Sequence, residues 1–206
     1  MSKIESILAC ALVSGAALLM TSCSDNARFV GTWNGISPVD MSVRMPDVVR
    51  ATSVVSVDFT LNQHKTGGPI GLSGKLDVVK SLPGDSASSG VPYQLSIPAM
   101  ASVRGVWTYD IDDDDDLLVN LDMSSLKVTV DREGVRWLGN VPSAGADSLA
   151  AVTAAICERE LSHAAYTDFS RFTVINDVDV DKSGSKMSFV IHSPEAEIYF
   201  VKAATE

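Results

Sequence analysis

Apolar and polar residues alternate with a period of two over most of this chain, and that pattern limits the fold more than any other feature. Val55, Val57, Phe59 and Leu61 are apolar, while Ser56, Asp58 and Thr60 between them are polar. After the turn-like "NQHKTGG", Ile70, Leu72, Leu76 and Val78 repeat the pattern against Ser73, Lys75 and Asp77. A Gly/Ser-rich loop from Pro83 to Gly90 follows. Val91, Tyr93, Leu95 and Ile97 then alternate, as do Val103, Trp107, Tyr109 and Ile111. Beyond an aspartate run come Leu117, Val119, Leu121 and Met123, then Leu126, Val128 and Val130. Strands resume with Phe172, Val174, Val178 and Val180, turn at "DKSGSK", and continue through Met187, Phe189 and Ile191 to a last strand from Glu197 to Lys202. Side chains on a strand point alternately to opposite faces, so these segments predict antiparallel strands with one dry and one wet face.

Many such hairpins in succession predict a mostly β fold, a meander that hides its edges by closing into a barrel or stacking as a sandwich. Gly71, Gly74 and Gly105 within strands suit the bends of a closing sheet. One segment breaks the pattern. Between 144 and 168 the sequence is alanine-rich, and Leu149, Val152, Ile156 and Leu161 stand near helical spacing, predicting one α-helix with Asp147 or Ser143 as its cap. It would lie across a barrel mouth or a sheet edge.

The N-terminus reads as a leader. A short polar stretch with Lys3 and Glu5 precedes the apolar "ILACALVSGAALLM", which is short for a membrane span and placed where a secretory signal belongs. Leu19-Met20-Thr21-Ser22-Cys23 resembles the lipobox of bacterial lipoproteins, which implies that Cys23 is acylated and opens the mature chain. "CSDN", with Asp25, is similar to the tether of surface-exported lipoproteins in Bacteroidetes. The expected organisation is a signal peptide over 1–22, a lipidated tether over 23–28 and a single domain over 29–206. Such a protein would sit in the outer membrane, on its periplasmic or its cell-surface face. Several acyl chains hold a body firmly, each buried methylene adding about 0.8 kcal/mol. Cys10 would leave with the leader and Cys23 would carry lipid, so Cys157 remains as a structural thiol.

The net charge is -10, and losing Lys3 with Glu5 leaves it unchanged. No Lys/Arg cluster offsets it, which speaks against nucleic acid as a partner. The run at Asp110 and Asp112 to Asp116 has two readings, a calcium site or a solvated hairpin tip; consecutive aspartates on a tight turn splay apart, which favours the tip. "DVDVDKSGS", from Asp177 to Ser185, has its glycine at the eighth place and no acid at the twelfth, so it is not an EF-hand. Glu160 and His163 could share a helix face, but no second such pair exists, and His64 and His192 stand far off in sequence. "GLSG" at Gly71 to Gly74 is not a nucleophile elbow, and there is no P-loop or dinucleotide fingerprint. Neither enzymatic activity, a metal site nor a cofactor is expected.

Three short motifs suggest a family. The Gly31-Thr32-Trp33 opening strand soon after Cys23, the "GVWTYDIDDDDDLLVNL" hairpin from Gly105 to Leu121 and the closing "IYFVK" from Ile198 to Lys202 resemble the lipocalin-like, calycin-like lipoproteins of Bacteroidetes. The resemblance implies a calycin-like β-barrel in which the first-strand tryptophan packs under a basic residue near the last strand, where Lys202 stands. Trp33, Phe59, Tyr93, Trp107, Tyr109, Phe172 and Phe189 fall on the apolar phase of their strands. They are either a filled core or the lining of a cavity for a small hydrophobic ligand, with the Tyr93 and Tyr109 hydroxyls as polar contacts. The expected partners are the membrane, through the lipid at Cys23, together with such a ligand or a docked envelope protein.

Overall fold

The computed structural model describes residues 28–40, 45, 47–64, 66–85, 89–109, 116–192 and 195–204. The expected leader, Cys23, most of the tether and the acidic tip up to Asp115 lie outside the described residues. Ten strands and one α-helix occur among those described. They are β1 (Gly31–Gly35), β2 (Val39–Asp40), β3 (Val48–Phe59), β4 (Gly67–Leu82), β5 (Tyr93–Tyr109), β6 (Leu117–Val130) and β7 (Arg136–Leu138), then helix α1 (Ala146–Phe169), and finally β8 (Val174–Val180), β9 (Lys186–Ile191) and β10 (Ala196–Lys202).

All pairings are antiparallel, and they run β1-β10-β9-β8-β6-β5-β4-β3. Because β1 pairs with β3 as well as with β10, the hydrogen bonding closes into a ring. β2 adds to β3 and β7 to β5 outside that circuit. The long members follow the alternation read from the sequence. Ala51, Val55, Val57 and Phe59 of β3 face inward, as do Ile70, Leu72, Leu76 and Val78 of β4. β5 is one continuous strand, so the alternating sets around Leu95 and Trp107 belong to a single element. Gly105 lies where β6 leaves no room for a side chain, since a Cβ there would stand 2.4 Å from the Asn120 carbonyl oxygen. The two strands slip in register between Ser102 and Arg104. There the Asp122 carboxylate accepts Ser124 N–H at 3.0 Å, and Ser125 Oγ accepts Arg104 N–H at 3.0 Å, which satisfies backbone groups that the ladder leaves unpaired.

The ring is thinnest between β6 and β8, which pair only at Leu117–Ile175 and Leu118–Val174. Helix α1 packs against β6 and β5. Its Ala154, Cys157, Leu161, Ala164 and Phe169 enter the same core as the strands, and Ala165 and Phe169 meet inward residues of β3, β4, β5, β9 and β10 around one interior cavity. Its cap differs from expectation. Gly145 caps it in the left-handed region (φ 66°) with no side-chain hydrogen bond, and Asp147 sits in the first turn. Phe172 is not on a strand but in a 3₁₀ turn (Ser170–Thr173), where it is buried. In β8 Ile175 rather than Val174 is buried, because Asp177 adopts φ 51° and the register with β9 slips between Asn176 and Asp179; beyond the slip Val178 and Val180 keep the expected phase, partly buried against the core.

One end of the ring is plugged by aromatics. Phe29 sits edge-on to Phe59 (5.2 Å between centroids), Trp107 (5.1 Å) and Tyr109 (6.0 Å). Its carbonyl accepts the Trp33 indole N–H at 2.6 Å, and the Trp107 indole donates to the Thr60 carbonyl at 3.0 Å. Both buried indoles are thereby satisfied. Truncating the plug would leave a cavity that these rings cannot collapse. Phe29→Ala is expected to cost about 3–5 kcal/mol of unfolding free energy, read from urea denaturation, with a shift of tryptophan emission. A loss below about 1 kcal/mol would show that the plug contributes little.

Candidate functional site

The aromatic residues expected to line a ligand cavity do not converge on one space. Trp33, Phe59 and Trp107 belong to the plug, with Tyr109 half-buried beside them. Phe172 and Phe189 pack edge to face at 6.2 Å, and Phe189 stacks on Phe200 at 4.8 Å, in a second group beneath the end of α1. Tyr93 lies at the other end of β5, edge-on to Trp137, where its hydroxyl donates to Asp85 Oδ1 at 2.6 Å. Of the seven, Phe172 borders an interior cavity of about 30 Å³, shared with Val55, Leu76, Ala101 and Phe169. That is room for water, an order of magnitude below the several hundred Å³ of small-molecule sites.

Lys202 stands opposite Trp33 in the β1–β10 register, with its ammonium 5.1 Å from the indole ring centroid. An exposed cation over an indole face contributes about 0.5–1 kcal/mol.

Two concave areas lie outside the core. One, of about 450 Å³, is bounded by the end of β4, the start of β5 and the middle of α1. In its wall Lys80, only 5% exposed, pairs with Glu160 at 2.6 Å. The sequence does carry a signal for this pair, because Lys80 stands in phase with Leu76 and Val78 on the dry face of β4. Glu160 therefore turns toward Lys80 while His163 on α1 is exposed, so the two side chains whose spacing could place them on one helix face point apart. Among the described residues no group of three or more His, Cys, Asp or Glu side chains is placed to hold a metal. The second hollow, about 350 Å³, lies on the outer face of β8, β9 and β10 beside Ile36.

Asp181 illustrates why the acidic β8–β9 turn holds itself. Its carboxylate accepts the Ser183 hydroxyl at 2.6 Å and the backbone N–H groups of Ser185 (2.8 Å) and Lys186 (3.0 Å). The Ser183 hydroxyl, then the backbone donors, lower its pKa to about 2. Asp116, the described end of the aspartate run, likewise accepts Asp177 N–H at 3.0 Å across the β8 irregularity.

Cys157 is fully buried, and burial pushes its thiol up to about 11 from 9.0, an effect that nearby Lys80 moderates and Glu160 reinforces. Its folded pKa lies above the unfolded one, so the native state keeps the proton longer. That contribution is present below about pH 9 and is lost as pH rises toward 11. No helix among the described residues is long and apolar enough to cross a membrane. Comparison with protein-family models, with curated proteins and with solved structures finds no match for this chain.

Native protein at pH 8 is expected to leave Cys157 unmodified by Ellman's reagent until denaturant is added; prompt reaction would contradict its burial. Lys80→Ala, which leaves Glu160 partly buried without its partner, is expected to lower unfolding free energy by about 3 kcal/mol. Lys80→Met with Glu160→Leu should recover most of that loss, and a double variant as unstable as the single one would overturn the account.

Proposed function

We propose that this chain is a membrane-anchored envelope lipoprotein, held by a lipidated Cys23, whose body is a solid calycin-like barrel acting as a non-catalytic structural or docking module. Three observations support the barrel. The pairings close through β1, and Lys202 covers Trp33 as the family resemblance implies. Carrying the register around the ring also returns to the first strand displaced by about twelve residues, a stagger that suits a closed, tilted wall.

The observation that carries the docking reading is the contrast between inside and outside. The interior cavity that Phe172 borders measures about 30 Å³. Meanwhile Leu149, Val152 and Ile156 of α1, and Ile36, Tyr199 and Val201 near β10, present apolar surface to solvent. Apolar groups grouped on an outer face mark contact surfaces. A filled ring with exposed apolar faces suits recognition from outside better than storage of a small molecule within.

Two measurements test this. In cells, Cys23 is expected to take up labelled fatty acid and to hold the protein in the membrane fraction, while Cys23→Ser releases it. Native mass spectra of the Cys23→Ser chain lacking 1–22 should show the apo mass before and after mild denaturation. A stoichiometric small molecule released on denaturation would overturn the docking reading in favour of a carrier.

A further inference from the structure

The outward face of α1 differs in charge from the rest of the molecule. Leu149, Val152 and Ile156 are 38%, 57% and 41% exposed, and the same stripe continues through Arg159 and His163 to Tyr166. No acid shares it. Glu158 reaches across to Arg132 at 2.5 Å, and Glu160 turns to Lys80. At 3.6 residues per turn, Asp147 lies about 140° round the helix from Val152, and Asp168 falls on the side facing the core. Arg159 has no ion-pair partner among the described residues. This is an apolar and basic stripe on a chain of net charge -10.

The outer face of β9 and β10 is its complement. Ile36, Tyr199 and Val201 are exposed there around the hollow of about 350 Å³, which Asp179, Asp181 and Lys186 also border. Glu197 is exposed on the same face and accepts the Tyr199 hydroxyl at 2.6 Å. Three acids thus stand against one lysine. The two surfaces are distinct, since the stripe is the solvent side of α1 while the hollow lies on the outward side of β8, β9 and β10.

We propose that a second copy of this chain is the docked partner, with α1 of one copy seated on the β9–β10 face of the next. This rests on the docking reading above and names its partner. Two acidic bodies repel each other in most orientations; the one that brings Arg159 and the apolar stripe onto the acidic, apolar β9–β10 face turns that repulsion into selectivity. Because the two surfaces differ, the contact is heterologous and can add copies in succession rather than stopping at a symmetric pair. Each patch offers about three exposed apolar side chains, well short of the ~800 Å² per partner of a standard stable interface. The contact is therefore weak in solution and gains its strength from the high local concentration of anchored copies.

The test uses the full mature chain carrying Cys23→Ser in sedimentation velocity over rising concentration, with circular dichroism checking the fold of each variant. Wild type is expected to self-associate, and Arg159→Glu to weaken that association about tenfold or more. Val152→Asp spoils the helix face and Val201→Asp the sheet face, so each alone should be monomeric. Mixed in equal amounts, they retain one intact face each and should form a heterodimer that grows no further. A wild type that stays monomeric throughout would overturn the proposal, as would a mixture that fails to pair. Continued self-association of either single variant would also overturn it, because a symmetric contact uses one face only. None of these outcomes resembles a bound small molecule in the mass spectrum, which is the result that would remove the docking reading itself.

Discussion

The fold depends on a five-residue strand. β1 is short, yet it pairs on one edge with β3 and on the other with β10. Without it both neighbours would present unpaired N–H and C=O groups to water or to other chains. Its position is fixed by burial as much as by hydrogen bonds. Trp33 is fully enclosed, and its indole is held by the carbonyl of Phe29, which is itself wedged among Phe59, Trp107 and Tyr109. The strand that closes the ring and the ring that plugs one end are thus anchored by neighbouring residues in one short stretch.

The opposite weakness lies at β6 and β8, where two residue pairs hold the seam. Helix α1 compensates with packing rather than with ladder hydrogen bonds. Small residues, Ala154, Ala164 and Ala165, let it approach the strands closely, while Leu161 and Phe169 fill the remaining volume. The buried Lys80–Glu160 pair ties the helix to β4. Such a pair adds little net stability over an apolar substitute, but leaving either member alone is costly, so it favours one seating of the helix over others.

How much of this the sequence carried depends on which force decided each element. In β3, β4 and β5 one face is dry and the other wet, so alternation reported the inward phase correctly within each strand, although Val91, read as the start of β5, lies before it and is exposed. In β8 it held only beyond Asp177, where Val178 and Val180 pack partly buried against the core; the backbone at Asp177 shifts the phase, so before it Ile175 rather than Val174 is buried. The helix existed where expected, but of its four spaced apolar residues only Leu161 is buried; the contact face is made of alanines and Cys157, whose small size is a packing requirement that hydrophobicity ranks low. For the site, sequence placed the aromatics on apolar phases but could not say whether they meet. Phe59 and Phe189 sit in different groups because the ring staggers as it closes, a three-dimensional property that a linear pattern does not hold. Lys80 was visible only as a charge in phase with Leu76 and Val78.

The pairing of β1 with β10 joins the first strand of the domain to the last. A chain that emerges N-terminus first, from a ribosome or across a membrane, can zip β3, β4 and β5 together as each hairpin appears, since those contacts are local. It cannot lock until Lys202 has arrived beside Trp33, more than 160 residues later by the register of β1 and β10. Until then β1 is bonded on one side only, and the growing sheet carries an open edge that invites pairing with a neighbouring chain. Assembly of this domain is therefore gated by its own length. The last seven-residue strand acts as a proofreading step, because a chain cut short before β10 has no means of completing the circuit.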